Sequence, residues 1–250
     1  MGLYTIGKGG EMQERFLILG SHGFLGSALS RQLEQQEREV IRGDRNGTVP
    51  KGVDVIINCA SYGNVYDQID EEEIIRANIT MLQNLLASDW KKFINISTSS
   101  VLLPVSTPYS SAKKMGEVLC RQYGAVSIRP SSIIGPGEQK EHLIPKLIDS
   151  CLNGTEMPFV GEPTHDYVHV LDVVSAIGLL LQIPEARGKV FNVSSGVTTS
   201  NEEVLRLVED CTGLTSSLQR VKSMRAYDSK DWKVDNSEMR ALGWQPTISL

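Results

Sequence analysis

The sequence predicts an α/β fold, a Rossmann-like doubly wound parallel sheet with a small C-terminal lobe for substrate. Three observations predict it. Short apolar runs alternate with stretches of helical period from Arg15 to Ile128. The first run stops at a glycine loop, Gly20-Ser21-His22-Gly23-Phe24-Leu25-Gly26, which opens a helix. Beyond Pro130 the pattern gives way to Gly- and Pro-rich chain with separate helices.

The elements follow in order. Arg15 to Leu19 is apolar enough for a buried parallel strand. Phe24, Leu25, Ala28, Leu29 and Leu33 then recur at helical spacing, giving a helix to Gln35. Val40 and Ile41 form a second strand ending at Asp44, and Val53 to Cys59 a third. Ile69 to Ala87 is a long amphipathic helix. Its acidic start, Asp70 to Glu73, suits the positive end of the helix dipole, and Ile74, Ile75, Ile79 and Leu82 are expected to cover the sheet. A strand at Phe93–Ile96, a helix at Ser110–Tyr123 and a strand at Val126–Ile128 complete the run. A helix is expected near Ile144 to Leu152. Another spans Leu171 to Leu181, capped by Asp172, and a third spans Asn201 to Thr212, capped by Ser200 or Asn201.

The division that follows is a leader at 1–14, a dinucleotide-binding domain at 15–130 and a lobe at 131–165 and 197–250. A strand near 190–193 returns to the sheet. Only eight residues, Arg45 to Gly52, join the second strand to the third. That is too few for a helical crossover of a dozen or more residues. A bare loop suffices, and Val40 to Asp44 then becomes the sheet edge.

Bulk composition narrows the class. The chain has 250 residues, 40% of them hydrophobic and 22% charged. A formal charge of −5 gives no attraction for nucleic acid or an anionic membrane surface. No apolar run approaches the ~20 residues of a membrane helix. Four cysteines stand far apart without a CxxC pair, which points to buried reduced thiols in the cytoplasm and to no metal site. His165, Asp166 and His169 lie in a stretch that reads as extended, so their spacing does not gather them on one helix face.

A strand, a glycine triplet and a helix start make a dinucleotide-binding arrangement. Gly20 permits the turn out of the strand, Gly23 lets the backbone approach a pyrophosphate, and Gly26 lets the helix lie against the sheet. The amides at Phe24 and Leu25 open the helix and face an anion. Asp44, 18 residues past Gly26, suits the adenosine ribose hydroxyls and favours NAD. Arg42 and Arg45 flank it and suit a 2′-phosphate, which keeps NADP open.

Tyr109 and Lys113 form Tyr-x-x-x-Lys at a helix start, on one helix face. Ser99 lies just past the strand Phe93–Ile96, at the carboxyl edge where ligands bind in such sheets. A phenol beside an ammonium and a nicotinamide cation, with its pKa brought down from about 10, can exchange a proton with a carbonyl or alcohol oxygen, and a serine hydroxyl can orient that oxygen.

The chain resembles the extended short-chain dehydrogenases/reductases, the NAD-dependent epimerase/dehydratase family. The similar segments cover most of residues 15 to 250. They are Gly20–Gly26, Asp54–Ala60, Asn78, Ser97–Ser100, Tyr109–Lys113, Ile128–Pro130, Gly135–Gly137, His165–Asp172, Phe191–Gly196 and Leu242–Pro246. The resemblance implies Ser99, Tyr109 and Lys113 as a catalytic triad. It also implies Cys59, Ala60, Ser61 and Pro130 along the cofactor, Asn78 in support, and a homodimer through the helices near 69–88 and 110–123. Asn58 to Asn64 and the short interval from Ser99 to Tyr109 look most like reductases of 4-keto nucleotide sugars. Departures are His165 where an arginine is usual, Ser132 where an asparagine is usual, and the missing strand and helix between Asp44 and Val53. The implied activity is hydride transfer on a nucleotide sugar. The alternatives are an epimerase on the same scaffold and a non-enzymatic NAD(P)-binding regulator. An acidic neighbour of the catalytic hydroxyl, usual in dehydratases, is missing at Ser100 and Val101.

Overall fold

The computed structural model describes residues 14–44, 46–65, 67–222 and 232–250. Arg45 and nearly all of the expected leader lie outside them. In chain order the first half comprises β1 (Arg15–Leu19), α1 (Phe24–Gln35), β2 (Glu39–Arg42), β3 (Val55–Asn58), α2 (Glu71–Ile75), a π-helical segment (Arg76–Thr80), α3 (Met81–Leu86), β4 (Lys92–Ile96), a 3₁₀ turn (Ser99–Leu102), α4 (Pro108–Tyr123) and β5 (Val126–Pro130). The second half comprises β6 (Ser132–Ile134), α5 (Leu143–Asn153), β7 (Met157–Phe159), β8 (Thr164–His169), α6 (Val170–Leu180), β9 (Val190–Val193), β10 (Thr198–Ser200), α7 (Asn201–Thr212), β11 (Leu218–Arg220) and α8 (Ser237–Ala241).

The main sheet has six parallel strands in the order β2-β1-β3-β4-β5-β9. Strand alternation divides its apolar residues between two faces. Phe16, Ile18 and Ile57 pack with Leu29 of α1 and Ile177 of α6. Leu17, Leu19 and Ile56 pack with Met81, Leu82 and Leu85 of α3 and with Cys120 of α4. Each such fully buried side chain contributes about 2 kcal/mol relative to leaving it in water. A third cluster, with Leu147, Phe159, Val204 and Leu205, joins α5 and α7 over the β7–β11 pair.

The helix expected over 69–87 forms as one unbroken run of α2, the π segment and α3, while three other readings need correction. The Asn78 amide donates to the Ile74 carbonyl at 2.9 Å, capping an oxygen within this irregular stretch. Ile75 is exposed rather than packed on the sheet, unlike Ile74 and Leu82. Asp172 does not cap α6. His169 does, its Nδ1 accepting from Leu171 N at 3.2 Å. Asp172 is buried one turn in and accepts from Thr247 N, Thr247 Oγ1 and Ile248 N at 2.8–3.0 Å. Met239 and Trp244, placed with the lobe by sequence, lie instead in the core of the main sheet, where the Trp244 indole donates to Ser175 Oγ at 2.9 Å. The C-terminal chain is thus strapped across α6.

β2 is the edge of the sheet. Between it and β3 the described residues carry neither helix nor strand. The loop is held by Asp44, whose carboxylate accepts from Asn46 N, Thr48 N and Thr48 Oγ1 at 2.9–3.0 Å. Gly47, with φ +71°, sits so close to Met81 that a Cβ would lie 2.7 Å from its Cγ. The loop therefore hugs α3.

Candidate active site

The glycine loop is shaped by contacts that no side chain could replace. Gly20 has φ +69°, and a Cβ there would lie 2.8 Å from Ala60 N and from the Cys59 carbonyl carbon. A Cβ on Gly26 would lie 2.2 Å from Gly20 O, so α1 rests directly on the turn. Gly23 caps α1 without any side-chain hydrogen bond to the first-turn amides. Those amides keep their capacity for an anion.

The loop opens into a cavity of about 810 Å³ at the carboxyl edge of the sheet. Gly20 and Gly23 line it from the glycine loop, and Phe24 and Leu25 from the start of α1. Asp44 lines it from the β2 end, Cys59, Ala60 and Ser61 from the β3 end, and Tyr109, Lys113 and Pro130 from α4 and β5. Gly26 and Asn78 do not line it. Asn78 is buried behind it, where its Nδ2 donates to Tyr62 O at 2.8 Å and its Oδ1 accepts from Ser61 Oγ at 3.2 Å. It therefore holds the cavity wall. Arg42 forms an ion pair with Glu34 at 2.8 Å. A 2′-phosphate would compete with that pair for Arg42 and would meet the Asp44 carboxylate, whose pKa is lowered chiefly by hydrogen bonds from Thr48.

Ser99 lies just past β4, where the sequence placed it, but it does not reach the cavity. It is buried, off the cavity, at the start of the 3₁₀ turn. Thr98 lines the cavity in its stead, with Ser61 beside it. Both hydroxyls act on the Tyr109 phenol in the sense that favours its ionised form. The cause is a one-residue matter. Thr98 is the last extended residue, at φ −156° and ψ 148°, and it caps the turn that carries Ser99 inward. Thr98 Oγ1 also lies 2.6 Å from Ser100 Oγ.

Without cofactor, burial outweighs both hydroxyls and raises the Tyr109 phenol above its usual range. Lys113 is fully enclosed. Its Nζ donates to Ile96 O at 2.9 Å and stands 5.8 Å from the centre of the Tyr109 ring. Burial brings the ammonium down to about 8. One turn further along α4, Glu117 accepts from Ser97 Oγ at 2.6 Å and from the Arg129 fork at 2.7 and 2.8 Å. This buried pair ties α4 to β4 and β5 behind the lysine. Sequence reading missed it, although Glu117 lies four residues past Lys113. It also missed Glu73 and Arg76, and His142, which meets Glu138 at 3.0 Å; Glu73, Arg76 and His142 all line the cavity.

A family model described as the NAD dependent epimerase/dehydratase family matches residues 16–194. The chain belongs to that family. Its members share the extended short-chain dehydrogenase/reductase fold, and the chain is an NAD-dependent enzyme of that group. It is 29% identical over 224 residues to the low-salt glycan biosynthesis protein Agl12 of Haloferax volcanii, covering 79% of this chain and 72% of that protein. It is 26% identical over 230 residues to a dTDP-glucose 4,6-dehydratase of Streptomyces griseus, covering 81% and 70%. The solved structure of MoeE5 in complex with UDP-glucose and NAD superposes with a TM-score of 0.86 at 22% identity over 94% of each chain, a likeness of fold.

The four cysteines are unpaired, but they are not uniformly buried. Cys120 and Cys151 are buried, Cys59 is half-buried and Cys211 is exposed. Burial pushes the Cys59 thiol, in the cavity wall, up to about 12. Among the described residues no cluster of metal-ligating side chains is present, and no helix is long and apolar enough to cross a membrane.

Proposed function

We propose that this enzyme reduces the keto group of a nucleotide-linked sugar, with NADH as the hydride source. One observation carries the reading. Tyr109, Thr98 and Lys113 meet at the wall of the cavity that the glycine loop opens. The residues fit the cofactor: uncapped amides at Phe24 and Leu25 for the pyrophosphate, and Asp44 for the adenosine ribose. When bound, NADH supplies the hydride.

The chain's own residues do the rest. Thr98 and Ser61 hydroxyls orient the substrate oxygen. Tyr109 gives that oxygen its proton. Burial keeps the phenol protonated in the resting site, which suits an acid waiting for a carbonyl. The phenolate left behind is met by the Lys113 ammonium, 5.8 Å from the ring centre. Neither Ser99 nor Ser100, which follow Thr98, is a carboxylate, so the acid a dehydratase needs beside this hydroxyl is missing. A nucleotide sugar is supported by the names of the relatives and by the adjoining lobe of α5 and α7.

The test is NADH absorbance with a panel of keto-sugar nucleotides. Net NADH consumption is expected. Product without net consumption would mean epimerisation, and binding without turnover would mean a regulator. Paired titrations should show tighter NAD than NADP; the reverse would assign the site to Arg42 or Arg45. The exposed Ile75, Met115 and Val118 on α2 and α4 support a homodimer through these helices. Light scattering that reports a monomer would remove it.

A further inference from the structure

The adenosine end of the cofactor cavity lacks the cover that an outer strand would give. β2 is the edge, and the described residues between it and β3 form neither helix nor strand. Asp44, at the tip of β2, marks where the ribose falls in this kind of sheet. The run formed by α2, the π segment and α3 lies between two neighbours. α4, with Tyr109 and Lys113, packs on one side of it. The Asp44 loop packs on another, through Gly47 against Met81.

The residues of this run divide accordingly. Glu71 and Ile74 line a separate hollow beside Tyr109 and Pro108. Arg76, Ala77 and Met81 line the cofactor cavity, and Met81 also abuts the loop. Arg76 is therefore carried toward the adenosine end. Glu73 grips it as a fork, with Arg76 Nε donating to Oε2 at 2.7 Å and Nη2 to Oε1. The fork fixes the guanidinium plane and offsets its charge.

We propose that Arg76, clamped by Glu73, is the platform on which the adenine ring of the cofactor rests. It does the work of the missing outer wall. A planar guanidinium stacks on a π-ring, and an ammonium does not. Ala77 and the Met81 thioether supply an apolar floor beside it, and sulfur also favours aromatic contact. Because Glu73 offsets the charge, the site recognises a base rather than a phosphate. The inference rests on the reading that NAD binds in this cavity.

Calorimetric titration with NAD, AMP and nicotinamide mononucleotide tests it. Arg76→Ala should weaken NAD and AMP alike, on the order of 10-fold, and leave nicotinamide mononucleotide unchanged. Unchanged mononucleotide binding also shows that the variant is folded. Arg76→Lys should stay as weak as Arg76→Ala, and Glu73→Gln should fall between wild type and both. Full rescue by lysine would mean a charge contact and overturn the proposal. So would unchanged AMP binding in Arg76→Ala. A wild type that binds neither NAD nor nicotinamide mononucleotide would sink the cofactor reading and this inference with it.

Discussion

At the Tyr109 end of the cavity, three polar groups are held from behind. Lys113 is anchored on Ile96 O, Glu117 joins Ser97 to Arg129, and Asn78 fixes the Ser61–Tyr62 wall. At the Asp44 end the strand is an edge, its Glu39 and Arg42 are exposed, and the carboxylate is bonded only within its own loop. Both ends sit on one sheet. The difference follows what each must do. Proton and hydride transfer need groups fixed to a few tenths of an ångström, and buried second partners supply that. Holding an adenosine needs only enough contact to bind, so an outer strand can be lost.

The largest break in this comparison is Tyr109→Phe. Turnover should fall by roughly 10² to 10⁴-fold while NAD binding persists, because only the proton path is removed. Full activity of the variant on a verified substrate would remove the mechanism. Next is the support behind the site. Glu117→Ala leaves Arg129 without its buried partner and should cost about 3 kcal/mol of stability. Glu39→Ala, at the β2 edge, breaks an exposed pair with Arg15 and should cost less than about 1 kcal/mol. Equal melting temperatures for the two variants would contradict the contrast between the ends.

A sharper test separates neighbouring hydroxyls. Thr98→Ala should lower kcat by about 10 to 10²-fold, since it removes a group that orients the reacting oxygen. Ser99→Ala should change kcat by less than about 2-fold on the same reasoning. The opposite ranking would restore Ser99 to the site.

The smallest effect is in the pH profile. Lys113 is lowered to about 8 by burial, so its ammonium is lost as pH rises through that value. Tyr109 is raised, so its phenol remains protonated over the same range. The kcat/KM for reduction should therefore be flat at lower pH and fall above about 8. A plateau that persists past about 10, near the ordinary lysine value, would show that the lysine charge plays no part.

Much of this was legible in the chain because it is local. The glycine loop announces itself through its spacing, with Gly20 and Gly26 at places where a Cβ cannot fit, and Tyr109 and Lys113 through helical spacing. Sheet strands read as apolar runs because both faces are covered. What escaped depends on distant partners or on a single residue of phase. Asp172 looks like a cap, but its carboxylate is claimed by Thr247 and Ile248, some 75 residues away. Glu117 gains its meaning from Arg129 on another element. β6 was read as irregular because a strand of three residues is set by pairing rather than by pattern, whereas the extended reading of His165 to His169 holds as β8. Within Ser97–Ser100, the hydroxyl that faces the cavity is decided by where β4 stops and the 3₁₀ turn starts, a boundary that sequence periodicity leaves open by a residue or two.

The central claim is net reduction through Tyr109 at this cavity. It is tested most directly by following NADH absorbance on addition of a 4-keto nucleotide sugar, with wild type and Tyr109→Phe side by side. Stoichiometric loss of NADH with the alcohol as product, slowed by at least about 10²-fold in the variant, is the predicted result. Conversion of the sugar with no net change in NADH, or equal rates in the two proteins, would contradict it.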